Sequence, residues 1–168
     1  DVCKKLIPHL DLFDMNIFGN DIVQIPEKTP SGKPISPASI EQIVECCDVI
    51  SVHADIPMLF QKSHVEKMKN GLIFIDYARG VSADFDALRE RMPHITTYSD
   101  FSSVEWLKLQ DDFSSNVFVT PHGAGLTEYA EEKCVTNVMT PIKKFIEQGV
   151  ADTHSPFCIN AKEIKILV

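Results

Sequence analysis

The segment Gly71-Leu-Ile-Phe-Ile-Asp-Tyr-Ala78 constrains this chain more than any other. Four large apolar residues in a row, opened by Gly and closed by Asp, have the length and bounds of a buried β-strand. Similar runs recur at His9–Phe13, Asp48–His53, Ile95–Ser99 and Val117–Thr120. Helical patterns separate most of them. Ile40, Ile43, Val44 and Cys47 share one stripe over 39–47, a short helix is expected over 63–69 with Ser63 and Glu66 as a capping box, and another over 83–91 begins near Asp84. Strands alternating with helices imply βα crossovers and a parallel sheet. Runs such as Val49–Val52 and Leu72–Ile75, apolar without alternation, predict a sheet covered on both faces.

Other signals set the boundaries. Val2–Ile7 reads as the end of a helix stopped near Pro8, and 19–37, rich in Pro, Gly and polar residues, as mainly surface loop. The stretch after Asp100 reads as a loop. Residues 127–148 form the longest helix, with Gly149 as its C-terminal stop and Pro141 predicting a kink or break inside it.

The chain carries a formal charge of −8. That balance disfavours binding to nucleic-acid phosphates or anionic membrane surfaces, and no apolar run approaches the roughly 20 residues of a membrane helix. Five cysteines, two of them adjacent, with no CxxC, fit reduced thiols of a cytoplasmic protein better than a disulfide framework or a zinc site. No spacing of His, Cys, Asp or Glu points to a metal.

In open α/β sheets ligands bind beyond the carboxyl ends of the strands. Here those ends carry Asp14, then His53, Ala54 and Asp55, then Asp76, Ala78, Arg79 and Gly80, then Asp100 with Glu105 beyond it, then His122-Gly-Ala-Gly125. A guanidinium matches a carboxylate bidentately, an imidazole exchanges protons near neutrality, and a carboxylate beside it fixes its tautomer. Such a set could hold a 2-hydroxy or 2-keto acid and move its hydroxyl proton.

The motifs, in order, resemble those of the D-2-hydroxyacid dehydrogenase family, phosphoglycerate dehydrogenase-like. Asp48-Val-Ile-Ser-Val-His53 is similar to "ADIVSLH", Met68-Lys-Asn-Gly71 to "MKPGA", Ile75-Asp-Tyr-Ala-Arg-Gly80 with Asp84 and Leu88 to "INTARG…VD…AL", Asp100-Phe-Ser-Ser-Val-Glu105 to "DVF..E", and Thr120-Pro-His-Gly-Ala-Gly125 to "TPHIGG". The resemblance spans residues 2 to 148. It implies an NAD-dependent oxidoreductase that moves a hydride between the nicotinamide and the D-isomer of a 2-hydroxy acid. Arg79 would bind the substrate carboxylate, His122 would be the general acid/base, and Glu105 would pair with it. Asp100 would meet the nicotinamide carboxamide and Asp14 the adenosine ribose. His53, Ala54, Ala78 and Gly125 would line the cofactor cleft, with Arg79 and His122 also against it. A homodimer is implied as well.

The expected fold is α/β, a Rossmann-like parallel sheet with flanking helices, incomplete because its first βα unit is missing. The sequence contains no GxGxxG, the turn at which that family binds pyrophosphate. Residues 1–150 are expected to be the C-terminal part of an NAD-binding Rossmann domain, and 151–168 a tail returning toward a substrate domain. Asp76 departs from the family's usual Asn and adds a negative charge near Arg79. The substrate's side chain is open between phosphoglycerate, glycerate and lactate. The alternative function is a non-enzymatic NAD-binding regulator similar to the corepressor members of the family, or an inactive fragment.

Overall fold

The computed structural model describes residues 2–54, 56–78, 81–101 and 103–149. Twelve elements follow in the order α1 (Val2–Leu10), β1 (Ile17–Gly19), β2 (Ile35–Pro37), α2 (Ile40–Cys46), β3 (Val49–Val52), α3 (Lys62–Glu66), β4 (Ile73–Asp76), α4 (Phe85–Arg91), β5 (Thr96–Ser99), α5 (Val104–Asp112), β6 (Val117–Val119) and α6 (Glu128–Gln148). Every strand pairing is parallel. β1 pairs with β2, and β3, β4, β5 and β6 lie side by side in sequence order. The expected α/β class with parallel pairing and flanking helices is what the chain adopts, in two sheets rather than one.

The chain forms two compact units, Asp1–His122 and Gly123–Val168. In the first, register aligns Ile50, Phe74, Thr97 and Val117 across the four-stranded sheet, and Val52, Asp76, Ser99 and Val119 one step on. Successive strand residues face opposite sides, so these positions share one face. It is the buried face, packed with Val44 of α2, Val65 of α3, Ala87 and Leu88 of α4, and Trp106 and Leu109 of α5. The opposite face does not match the expected two-sided cover: within the described residues Val49 is 43% exposed, Tyr98 41% and Phe118 40%, the last two rings stacked across the strands at 4.9 Å. Both faces are apolar, as the sequence indicates, but the helices α2–α5 cover only one.

Local chemistry explains the helix starts. Ser39 accepts the Gln42 N–H while the Gln42 side chain accepts the Ser39 N–H, a reciprocal box that opens α2. Asp84 accepts from Ala87 N to open α4. The box expected at Ser63 and Glu66 is not formed. α3 starts two residues earlier than 64 would suggest, Gln61 N donates to His64 Nδ1 at 3.2 Å, and Glu66 instead faces Lys62 at 3.8 Å.

Three expectations need correction. α1 runs through Pro8 to Leu10, the proline forfeiting one i→i−4 hydrogen bond near the helix end, and His9–Phe13 is therefore helix end and turn rather than strand. The first strand lies later, at Ile17–Gly19, and its partner β2, Ile35–Pro37, lies inside what reads as loop. The stretch after Asp100 contains α5, started by Ser103 accepting from Trp106 N and held by burial of Trp106 and Leu109, three residues apart on one face.

The second unit holds α6. It continues through Pro141 without a break, and Gly149, at φ 68°, closes it in the left-handed conformation that glycine adopts without steric cost. Thr140 Oγ1 donates to Thr136 O beside the proline. Val135, Val138, Met139 and Ile142 form an exposed apolar stripe. Among the described residues no helix is long and apolar enough to cross a membrane. The tail expected over 151–168 lies outside the described residues.

Candidate active site

Parallel register brings the carboxyl ends of β4, β5 and β6 to one rim of the first unit. Asp76 is level with Ser99 and Ser99 with Val119, so Asp100 and Thr120 follow side by side. Main-chain bonds carry the ladder past the strands: Asp100 N donates to Asp76 O at 3.2 Å, and Thr120 N to Ser99 O at 2.9 Å. The Thr120 hydroxyl donates a short hydrogen bond to the Asp100 carboxylate. Asp100 is buried and Ser99 Oγ accepts from Phe101 N, so the turn after β5 is held from both sides.

His122 stands two residues beyond Thr120. Its N–H donates to Thr120 O at 2.8 Å and its φ is 57°. A non-glycine residue in the left-handed region is strained, though His is among the types that occur there most often. The turn aims the exposed imidazole back across the rim, where the Phe101 ring meets it edge-on at 5.8 Å. One contiguous chain of contacts therefore joins Asp100, Thr120, His122 and Phe101.

His53 and Ala54 follow β3, both half-buried. The His53 Nε2 lies 2.9 Å from Ser51 Oγ, and its ring stacks on Tyr77 at 6.2 Å. Burial lowers its pKa, which favours the neutral ring. Ala78 is buried just past β4. Its methyl is the smallest side chain that still restricts the backbone, and it leaves the main chain approachable. Arg79, Gly80 and Asp55 lie outside the described residues.

Glu105 sits exposed in the first turn of α5, and among the described residues no hydrogen bond or ion pair is seen between it and His122. Its own main chain and the Ser103 hydroxyl lower its pKa, the arrangement of an acid at a helix start. Gly125 belongs to the second unit. A Cβ there would meet nothing within 4 Å, so local packing does not require glycine.

Asp14 is not at a strand's carboxyl end. It lies exposed in the turn ahead of β1, 3.8 Å from Lys33 Nζ. The acid beyond β1 is Asp21, which accepts from Val23 N at 3.2 Å, next to Asn20, whose amide donates to Ala38 O at 2.7 Å. A concavity of about 600 Å³ opens there, lined by Gly19, Asn20, Asp21, Ala38 and Ser39 among others. The signal was present in the sequence, since Ile17-Phe-Gly19 precedes the turn-forming pair Asn20-Asp21. The longer apolar run at 9–13 outweighed it.

The family described as D-isomer specific 2-hydroxyacid dehydrogenase, NAD binding domain, matches residues 1–124. The chain belongs to this family. Among curated relatives, D-3-phosphoglycerate dehydrogenase of Haemophilus influenzae is 30% identical over 138 residues, covering 74% of this chain and 34% of the relative. D-lactate dehydrogenase of Lactiplantibacillus pentosus is 27% identical over 169 residues, covering 86% and 50%. The chain thus spans half or less of these relatives' length. Two solved structures share the fold. A D-lactate dehydrogenase from Sporolactobacillus superposes with a TM-score of 0.76 at 19% identity, over 90% of this chain and 51% of that one. The Aquifex aeolicus D-lactate dehydrogenase, solved with NAD and lactic acid, gives 0.71 at 21% identity, over 85% and 50%.

Proposed function

We propose that this chain carries the cofactor side of an NAD-dependent oxidoreductase that interconverts a D-2-hydroxy acid and its 2-keto acid. The observation that supports this most is the Asp100–Thr120–His122 chain, which places a buried carboxylate and a proton-exchanging ring on one rim beyond three parallel strands. Membership of the family supplies the cofactor class.

The residues present suit that cofactor at its two ends. Asp100 can accept from a carboxamide N–H while Thr120 holds its other lone pairs. Asp21, exposed beside the concavity beyond β1, can accept from vicinal ribose hydroxyls, the role the resemblance attaches to an acid ending that strand. We therefore assign that role to Asp21 in place of Asp14. His53, Ala54 and Ala78 give the cleft between these ends a low, largely neutral wall. No residue of this sequence is assigned to the pyrophosphate.

NAD, when bound, supplies the hydride acceptor or donor. The chain's own side chains do the rest. Arg79 binds the substrate carboxylate as a two-pronged donor and orients C2. His122 gives a proton to the keto oxygen during reduction and takes it back in the reverse direction. The same reading makes the whole protein a cytoplasmic homodimer. Free thiols at Cys3, Cys46, Cys47 and Cys134 support a reducing compartment, and sedimentation of the intact protein tests the dimer.

The experiment is NADH oxidation by the intact protein with the 2-keto acids of lactate, glycerate and 3-phosphoglycerate, with chiral analysis of the product. Turnover of one of them to the D-isomer is expected. NADH binding without turnover of any 2-keto acid would transfer the reading to the regulatory alternative. A second measurement concerns the ribose. Asp21→Ser is expected to weaken NADH binding by about 10- to 100-fold, the usual cost of losing hydrogen bonds to a charged acceptor. The same change at Asp14 should leave binding unaltered. An effect confined to Asp14 would reverse the assignment.

A further inference from the structure

Asp76 has no part in the chemistry described above, yet it is a fully buried acid, 0% exposed, at the carboxyl end of β4. Its Oδ1 accepts the Ala78 N–H at 2.9 Å and its Oδ2 accepts the Ser82 hydroxyl at 2.7 Å. Those donors stand immediately before and three residues after Arg79. Burial raises the Asp76 pKa, and the Ser82 and Ala78 donors oppose that rise. An acid is costly to bury unless it is hydrogen-bonded, so a fully buried carboxylate level with Val52 and Ser99 calls for a specific use.

The rest of the loop is held with equal economy. Tyr77 N donates to Val52 O at 3.2 Å, Met58 N to Val81 O at 2.8 Å and Phe60 N to Ser82 O at 2.9 Å. The neighbouring segment thus grips the far end of the loop by its main chain. Among the described residues, the Asp76 side chain joins Ala78 to Ser82. A displacement of about 1 Å at a substrate-binding group can cost two orders of magnitude in rate, so a clamp across that loop has a direct consequence for binding.

We propose that Asp76 is a positioning residue for substrate binding, its buried carboxylate tying Ala78 to Ser82 on either side of Arg79 in the sequence. This rests on the substrate-binding role of Arg79 proposed above. An asparagine, the residue usual in the family's motif, can make the same clamp. Its Oδ1 accepts from Ala78 N and its amide donates to Ser82 Oγ, because a hydroxyl serves either way. Alanine cannot.

The test compares Asp76→Ala, Asp76→Asn and Ser82→Ala in the intact enzyme. Asp76→Ala is expected to raise KM for the 2-keto acid by about 10- to 100-fold, with NADH affinity unchanged by fluorescence titration. Asp76→Asn should hold KM within about threefold of the parent, and Ser82→Ala, which removes one of two pins, should fall between. In an Arg79→Ala background, Asp76→Ala should cause no further loss, because the residues then act as one unit. A parental KM in folded Asp76→Ala, or the same added loss without Arg79, overturns the clamp. If Asp76→Ala does not fold, Ser82→Ala decides, and a parental KM there overturns it. A parental KM in Arg79→Ala alone would instead sink the reading of Arg79 on which the clamp depends.

Discussion

Changing His122 to asparagine should lower kcat for 2-keto-acid reduction by about 10²- to 10⁴-fold, the range that a positioned acid/base group contributes. Asparagine is the informative replacement. His122 has a φ of 57°, a conformation in which alanine would add backbone strain and confuse a chemical loss with a structural one. Asparagine tolerates the left-handed region and can keep the N–H bond to Thr120 O. It does not titrate near neutrality, so it removes the proton-transfer function and little else. NADH affinity should stay close to the parent's. Stopped-flow measurement of single-turnover hydride transfer isolates the chemical step from product release. A His122→Asn enzyme with parental single-turnover rates would remove His122 from the mechanism, and the Phe101 contact would then be its main role.

Arg79→Lys should lower kcat/KM for the 2-keto acid by about 10²- to 10³-fold, the loss seen when a donor aimed at developing charge is removed. Lysine keeps the charge but not the fork. Its single ammonium cannot hold both carboxylate oxygens in plane while directing a further N–H to the keto oxygen. Most of the loss should appear in KM for Arg79→Lys, with kcat falling further for Arg79→Ala, where nothing orients C2. NADH binding should again be little changed. Equal losses in NADH and substrate binding would mean that the loop after β4 had collapsed. Near-parental kcat/KM in both variants would show that another group binds the carboxylate.

Part of this site was legible in the sequence because it depends on local order. His122 and Asp100 each follow a short apolar strand, and a strand end needs only its own residues to be recognised. Ala78 and His53 were readable on the same ground. The local setting of Glu105 was not, because it lies on α5, a helix marked only by Ser103 and by Trp106 and Leu109 on one face. Asp14 was misplaced for a related reason. Proline is a strong stop signal, but it removes a single i→i−4 hydrogen bond, and α1 continues through Pro8 to Leu10, so the first strand lies further along the chain.

By itself the sequence determined the α/β class, the parallel pairing and the order of the candidate side chains along the chain, since apolar runs, caps and turns act over a few residues. Only the tertiary structure decided which of those side chains meet. Register across β4, β5 and β6 sets Asp100 beside Thr120, and the Asp76 carboxylate at the end of β4 meets the Ser82 hydroxyl six residues on. Register follows from packing of one shared face against four helices, a sum over distant residues that no single segment contains.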